Sequence, residues 1–179
     1  MYPLIRPLLF RMDPEQAHGV TLSALRLATR VPLARLVIRS LFDFHDKRLE
    51  VSAFGLTFRN RVGMAAGYDK NAVAVAGLSA LGFGHLELGT VTRFPQVGNP
   101  QPRLHRLVEQ RAVINSMGFP NEGIDVIERR PWQAAGTRAG MNIGKSKETV
   151  LERAADDYIF LLRRVYRRAD YVALNVSSP

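Results

Sequence analysis

From residue 49 onward, short apolar runs alternate with stretches of helical periodicity. The runs at 62–66, 85–88, 140–143 and 171–176 have the length of buried strands. Between them, 72–81, about 123–135 and 150–168 repeat apolar positions at helical spacing. The clearest stripe is Leu151, Ala154, Ala155, Tyr158, Leu161, Leu162 and Val165. Strand and helix alternating in this way predict βαβ units and a parallel sheet. Ahead of them, 49–51 and 56–58 flank Phe54-Gly55 as a small hairpin. The connection from Thr90 to Gly123, punctuated by Pro95, Gly98, Pro100, Pro102 and Gly118, is predicted as a long loop of the kind that carries function.

The first 42 residues have a different rhythm. Asp13-Pro14-Glu15-Gln16 supplies an N-cap acceptor, a proline at the first helical position and Gln16 in capping-box register. Leu22 and Leu25 follow at helical spacing. After Val31-Pro32, a second helical stripe runs through Leu33, Leu36, Val37, Ser40 and Leu41, with Arg35 and Arg39 opposite. Six arginines against Asp13 and Glu15 give this segment a charge of +4. A basic amphipathic pair of helices can lie on an anionic lipid surface. The pattern alone favours the other reading, a hairpin packed on its own domain, because most amphipathic helices bury their apolar face in this way. The opening Met1 to Phe10 is interrupted by Pro3, Arg6 and Pro7, unlike a signal peptide, and no window nears the roughly 18 apolar residues of a spanning helix.

Composition narrows the chemistry. The 179 residues are 46% hydrophobic and 23% charged, a balance that supports a folded core. Lys+Arg 25 against Asp+Glu 16 leaves +9, which favours anionic partners. Zero cysteines exclude disulfides, thiolate metal sites and a cysteine base. His18, His45, His85 and His105 show no ligand spacing, so no metal site is expected, and His85 reads as a packing residue at a strand start. P-loop, GxGxxG and G-x-S-x-G motifs are all missing.

Polar and small residues gather after the four predicted strands, at 65–70, 89–92, 142–145 and 175–178. Ligands of α/β sheets bind at that end. Small residues at Ala66 and Gly67 admit close backbone approach, Lys70 adds a positive charge, and Thr90, Asn142 and Asn175 add neutral donors and acceptors. Such a site suits a large polar ligand with an anionic part.

The motifs Ala66-Gly67-Tyr68-Asp69-Lys70, Gly89-Thr90-Val91-Thr92, Pro102-Arg103-Leu104, Ile114-Asn115-Ser116-Met117-Gly118-Phe119, Asn142-Ile143-Gly144-Lys145 and Asn175-Val176-Ser177-Ser178-Pro179 occur in order. Together they resemble the quinone-dependent (class 2) dihydroorotate dehydrogenases. The resemblance implies an α/β fold of the (β/α)8 TIM barrel family. About the first four βα units would be here (47–179), preceded by a helical, membrane- and quinone-associated extension (1–46). It implies FMN as cofactor, dihydroorotate and orotate as substrate and product, and membrane quinone as acceptor, in de novo pyrimidine synthesis. Ala66, Gly67, Tyr68, Asp69 and Lys70 would line the FMN, and Thr90, Asn142 and Asn175 would hydrogen-bond it. Lys70, Asn175 and the loop residues Asn115, Ser116, Met117, Gly118 and Phe119 would meet the substrate. Ser178 matches the catalytic base and Arg106 a residue of the quinone site. Residues 1–42 would face an anionic membrane surface, on the cytoplasmic side of a bacterial-type inner membrane.

A (β/α)8 barrel typically takes about 250 residues, so the chain is expected to be part of a longer protein. The family's later flavin-contacting lysine and glycine-rich phosphate loops would lie beyond Pro179. By itself the chain would bind FMN weakly, without turnover, and would leave two open sheet edges. A non-redox TIM-barrel enzyme is the alternative. A basic nucleic-acid-binding protein is disfavoured because no aromatic-rich basic motif occurs, and no nucleic acid is expected as a partner.

Overall fold

In the computed structural model, residues 2–132 and 136–177 are described. Three helices open the chain, α1 (Tyr2–Arg11), α2 (Pro14–Ala28) and α3 (Pro32–Phe42), where the sequence pattern predicts a pair. Helix α1 forms with Pro7 inside it, so the helix tolerates one missing backbone donor. At the start of α2, Asp13 Oδ1 accepts from the N–H groups of Glu15 (2.9 Å) and Gln16 (3.1 Å), as the capping pattern predicts. Helix α2 buries Ala17 and Leu22, and Leu25 lies so close to Gly77 that a Cβ there would sit 2.9 Å from the leucine Cβ. Helix α3 has no buried residue, and Leu33, Leu36 and Leu41 are exposed, as are Leu4 and Leu8 of α1. Packing on the domain is thus the fate of α2, while the apolar faces of α1 and α3 look outward.

A short 3-10 turn (Lys47–Leu49) leads into β1 (Val51–Ala53) and β2 (Leu56–Phe58), an antiparallel pair with Val51 opposite Phe58. The predicted hairpin forms, its first strand starting two residues later than the pattern suggests. Phe54 and Gly55 both take positive φ (54° and 73°), the backbone of a tight two-residue hairpin turn.

Four parallel strands follow: β3 (Gly63–Met64), β4 (His85–Val91), β7 (Arg138–Gly144) and β8 (Tyr171–Asn175), paired in chain order. Leu86 and Leu88 of β4 and Met141 and Ile143 of β7 join one buried cluster with Leu161 and Val165 of α6 (Ala154–Val165) and Leu78 of α4 (Val75–Ala80). Strand periodicity puts His85, Glu87, Gly140, Asn142 and Tyr171 on the opposite face. Large and small residues alternate across that face. A Cβ on Gly63 would lie 2.0 Å from the His85 ring, and one on Gly140 would lie 2.1 Å from Tyr171. His85 packs edge-on against Phe58 and Tyr171, with centroids 5.6 and 6.4 Å apart, the packing role expected of it.

Other elements depart further from the sequence expectations. The helix predicted over 72–81 starts only at Val75, because the Asp69 carboxylate holds the Val73 and Ala74 N–H groups and Ala72 takes φ 53°. The helix predicted over about 123–135 is reduced to α5 (Ile124–Ile127). Pro131 cannot donate to a continuing helix, and 133–135 lie outside the described residues. The connection predicted as a loop contains an antiparallel hairpin, β5 (Leu104–Leu107) and β6 (Ala112–Asn115).

Candidate active site at the carboxyl ends of the strands

The segment after β3 crosses to β4 through backbone bonds: Gly67 N–H donates to Gly89 O (2.7 Å) and Gly89 N–H to Asp69 O (3.2 Å). Gly67 adopts φ 100°, and a Cβ there would meet nothing within 4 Å, so its backbone borders open space. Gly89 is packed instead: a Cβ would lie 2.4 Å from Asn142 O.

Across the strand ends runs a row of hydrogen bonds. Asn175 Nδ2 donates to Thr90 Oγ1 (2.9 Å), Thr90 Oγ1 to Asn142 Oδ1 (2.6 Å), and Asn142 Nδ2 to Glu87 Oε1 (2.8 Å). An ionised carboxylate can only accept, so Glu87 fixes the amide of Asn142 with its oxygen towards Thr90. That choice orients Thr90 and, through it, Asn175, whose own Oδ1 accepts from Ser177 N–H (2.9 Å). Tyr171 Oη lies 3.4 Å from Glu87 Oε2, and burial together with the Glu87 charge pushes its phenol well above the usual tyrosine range. The row depends on small neighbours: a Cβ on Gly144 would sit 2.7 Å from Thr90 Cγ2.

The remaining residues expected to contact a ligand divide into two groups. Lys70 Nζ donates to Gly67 O (2.5 Å) and lies 3.5 Å from Met117 Sδ, bringing the long connection over the end of β3. Burial holds the Lys70 ammonium below the ordinary lysine range; Glu15 and Asp69 raise it and Arg103 lowers it further. The side chains of Tyr68 and Asp69 are engaged elsewhere. Tyr68 hydrogen-bonds Thr21 of α2 (3.0 Å), its carbonyl accepts from His18 Nε2 (2.6 Å), and the Asp69 carboxylate caps the turn before α4. Ala66 is half-buried in the same turn.

Of Asn115, Ser116, Met117, Gly118 and Phe119, Met117 reaches Lys70 with its sulfur, and the others are held by bonds within the connection. Asn115 Oδ1 accepts from Met117 N–H, Ser116 N–H donates to Arg103 O, and Gln96 Nε2 binds the carbonyls of Gly118 and Phe119. Arg106 lies apart from this cluster. Its Nη1 donates to Met12 O (2.8 Å), and its guanidinium sits 4.8 Å from the Phe10 ring, on a cavity of about 500 Å³ shared with Arg6, Arg111 and Val113. Ser178 lies outside the described residues.

Glu87 and Asn121 stand in no sequence motif, Glu15 stands only in a helix cap and His18 is a histidine without ligand spacing, while Thr92 and Arg103 lie in motifs that give them no role. Asn121 is buried and ties Thr92 to the long connection, donating to Thr92 Oγ1 (2.8 Å) and Phe119 O (2.9 Å). The available signal for Glu87 was its position two residues after His85, on the strand face that carries Asn142.

A sequence profile described as Dihydroorotate dehydrogenase matches residues 48–179. The chain belongs to the dihydroorotate dehydrogenase family. It is 50% identical over 181 residues to a Roseiflexus sp. (strain RS-1) protein named dihydroorotate dehydrogenase (quinone), covering 100% of this chain and 50% of the relative. A protein of the same name from Acidithiobacillus ferrooxidans is 49% identical, over 99% of this chain and 50% of its own length. The chain thus spans about half the length of the curated relatives it matches. Among solved structures, ligand-free DHODH from Eimeria tenella superposes with a TM-score of 0.76 at 41% identity, covering 93% of this chain and 46% of that one. The Eimeria tenella DHODH complex with ferulenol gives 0.74 at 38% identity, over 93% and 44%. The four parallel strands in chain order, with the three helices α4, α5 and α6 that separate them, are therefore part of the (β/α)8 barrel of the dihydroorotate dehydrogenases.

Proposed function

We propose that the chain forms the FMN- and substrate-facing part of an enzyme that oxidises (S)-dihydroorotate to orotate and passes the electrons to a membrane quinone, in de novo pyrimidine synthesis. The observation that carries this reading is the row Asn175–Thr90–Asn142–Glu87 beside the open backbone at Gly67. Its chemistry fits FMN: a flat ring edged with carbonyls and ring nitrogens needs neutral donors and acceptors in fixed orientation and a backbone without an intervening Cβ. FMN supplies, when bound, a hydride acceptor.

The chain's own residues then have distinct tasks. Ala66, Gly67, Tyr68 and Asp69 line the ring through backbone. Thr90, Asn142 and Asn175 hydrogen-bond it. Lys70 offers its ammonium to both cofactor and the substrate carboxylate, and Asn175 also reaches the substrate. Asn115, Ser116, Met117, Gly118 and Phe119 cover the ring of the substrate. Ser178 takes the proton from the carbon next to the one that loses hydride, so a C=C bond forms in the product. A serine hydroxyl is a weak base, which makes exclusion of water by the covering segment part of its function.

Residues 1–46 serve as the quinone-associated extension of the half-barrel 47–179, with Arg106 at the quinone site. Among the described residues no helix is long and apolar enough to cross a membrane. The exposed apolar faces of α1 and α3, flanked by arginines, support peripheral contact with an anionic membrane, on the cytoplasmic face of a bacterial-type inner membrane. Because α2 contributes Leu22 to the core, point changes test this better than removal of the extension. Leu36→Gln with Leu41→Gln should abolish reduction of a long-chain quinone in vesicles while reduction of a soluble dye survives. Equal loss of both would refute the membrane role of the extension.

A further inference from the structure

Helix α2 makes a second connection to the site, through one ion pair. Arg103 is buried, and among the described residues Glu15 is its only carboxylate partner. The Arg103 Nε lies 3.2 and 3.1 Å from the two carboxylate oxygens, and Nη2 lies 2.5 Å from Oε1. The other arm, Nη1, donates to the carbonyls of Val97 (2.6 Å) and Asn99 (2.9 Å). The Arg103 carbonyl in turn accepts from Ser116 N–H (2.9 Å). Asn99 closes the knot: its N–H donates to Met117 O (2.9 Å) and its Nδ2 to Ser116 O (2.8 Å). Nothing larger than glycine fits at its centre. A Cβ on Gly98 would lie 2.3 Å from Met117 O and 2.7 Å from Arg103 Nη1. The segment that presents Asn115 to Phe119 is thus wrapped on one guanidinium whose counter-ion belongs to the N-terminal extension.

We propose that Glu15 is a positioning residue for the substrate: by holding Arg103 it sets the 97–118 segment over Lys70, so the extension shapes dihydroorotate binding as well as any surface it meets. This rests on the dihydroorotate-oxidising reading above. Arg103 without its counter-ion would be a largely buried charge left unpaired, and the segment would loosen to let water reach it. The same charge lies near Lys70. Among the charged groups acting on that ammonium, Glu15 and Asp69 favour the protonated form and Arg103 opposes it, while burial opposes it most. Neutralising Glu15 therefore moves the deprotonation of Lys70 to lower pH.

The test compares Glu15→Gln and Glu15→Asp with the wild type in the flavin-loaded protein at its full encoded length. In Glu15→Gln, KM for dihydroorotate and the dissociation constant of orotate, read from its perturbation of the flavin spectrum, should both rise about ten- to a hundredfold. FMN content and kcat at saturation should change little. The alkaline fall in orotate affinity should shift to lower pH, and amide exchange should accelerate over 97–118 but not over β4 and β7. Glu15→Asp, which keeps the charge, should fall between. Unchanged orotate affinity in Glu15→Gln overturns the inference, as does a loss of FMN and global stability in both variants without a selective effect on 97–118. A wild-type protein whose flavin spectrum ignores orotate would refute the parent reading, and this one with it.

Discussion

Replacing Asp69 by alanine should destabilise the protein by an amount set by two backbone donors. The carboxylate is 1% exposed, and its oxygens accept from Val73 N–H (2.9 Å) and Ala74 N–H (2.8 Å) at the turn into α4. Alanine leaves both donors unpaired, the Ala74 bond being fully buried. Each orphaned donor costs about 1–3 kcal/mol, which sets an upper range of about 2–6 kcal/mol. Relief from burying the carboxylate offsets part of it, and cap replacements cost about 0.5–2 kcal/mol, so about 3 kcal/mol is expected. Asparagine retains one acceptor but opposes the second N–H with its own NH₂, and should fall between. Urea unfolding followed by circular dichroism, with the midpoint shift multiplied by a common slope, gives these differences. Flavin affinity measured on the folded fraction should move much less than stability. Variants as stable as the wild type that bind flavin at least about tenfold more weakly, a difference of about 1.4 kcal/mol, would refute the reasoning and put the carboxylate on the ligand.

Two further substitutions, at Gly144 and at Arg164, have defined outcomes. Gly144→Ala drives a methyl to 2.7 Å from Thr90 Cγ2, so Thr90 must shift and lose its bonds to Asn142 and Asn175. Overpacking of this kind costs about 1–3 kcal/mol, and a fluorescence titration should show weakened FMN binding alongside it. On helix α6, Arg164 binds Glu128 and Asp125, and the Arg164 hydrogen bond holds the Glu128 carboxyl below its ordinary range. A depressed carboxyl contributes stability above its unfolded pKa and loses it as pH falls through the folded one. Arg164→Ala should therefore cost about 1 kcal/mol at neutral pH, limited by solvent screening, and less in acid, as unfolding midpoints across pH would show.

The parts of this architecture that were legible in the sequence are those in which local pattern and tertiary environment agree. Leu86-Glu87-Leu88 and Met141-Asn142-Ile143 alternate as strands with one face on a helix layer, and the glycines and asparagines that end them mark the ligand side. The hairpin β5–β6 escaped notice because all four residues of β6 are exposed and the turn between Leu107 and Ala112 has no glycine or asparagine. Glu87 was hidden inside an apolar run, and its partner Asn142 is 55 residues away. The Glu15–Arg103 pair spans 88 residues, and no local spacing encodes it. Asp69 shows a different limit. Its place in a ligand-end motif does not distinguish a carboxylate that faces a ligand from one that caps the turn behind it.

Flavin-linked oxidation of dihydroorotate can be watched directly in the flavin spectrum. The protein at its full encoded length, purified with its bound cofactor and freed of oxygen, should lose its flavin absorbance band on mixing with dihydroorotate and form one orotate per flavin. Adding a quinone should restore the band. A protein without flavin, or one whose flavin stays oxidised in the presence of dihydroorotate, would contradict the account.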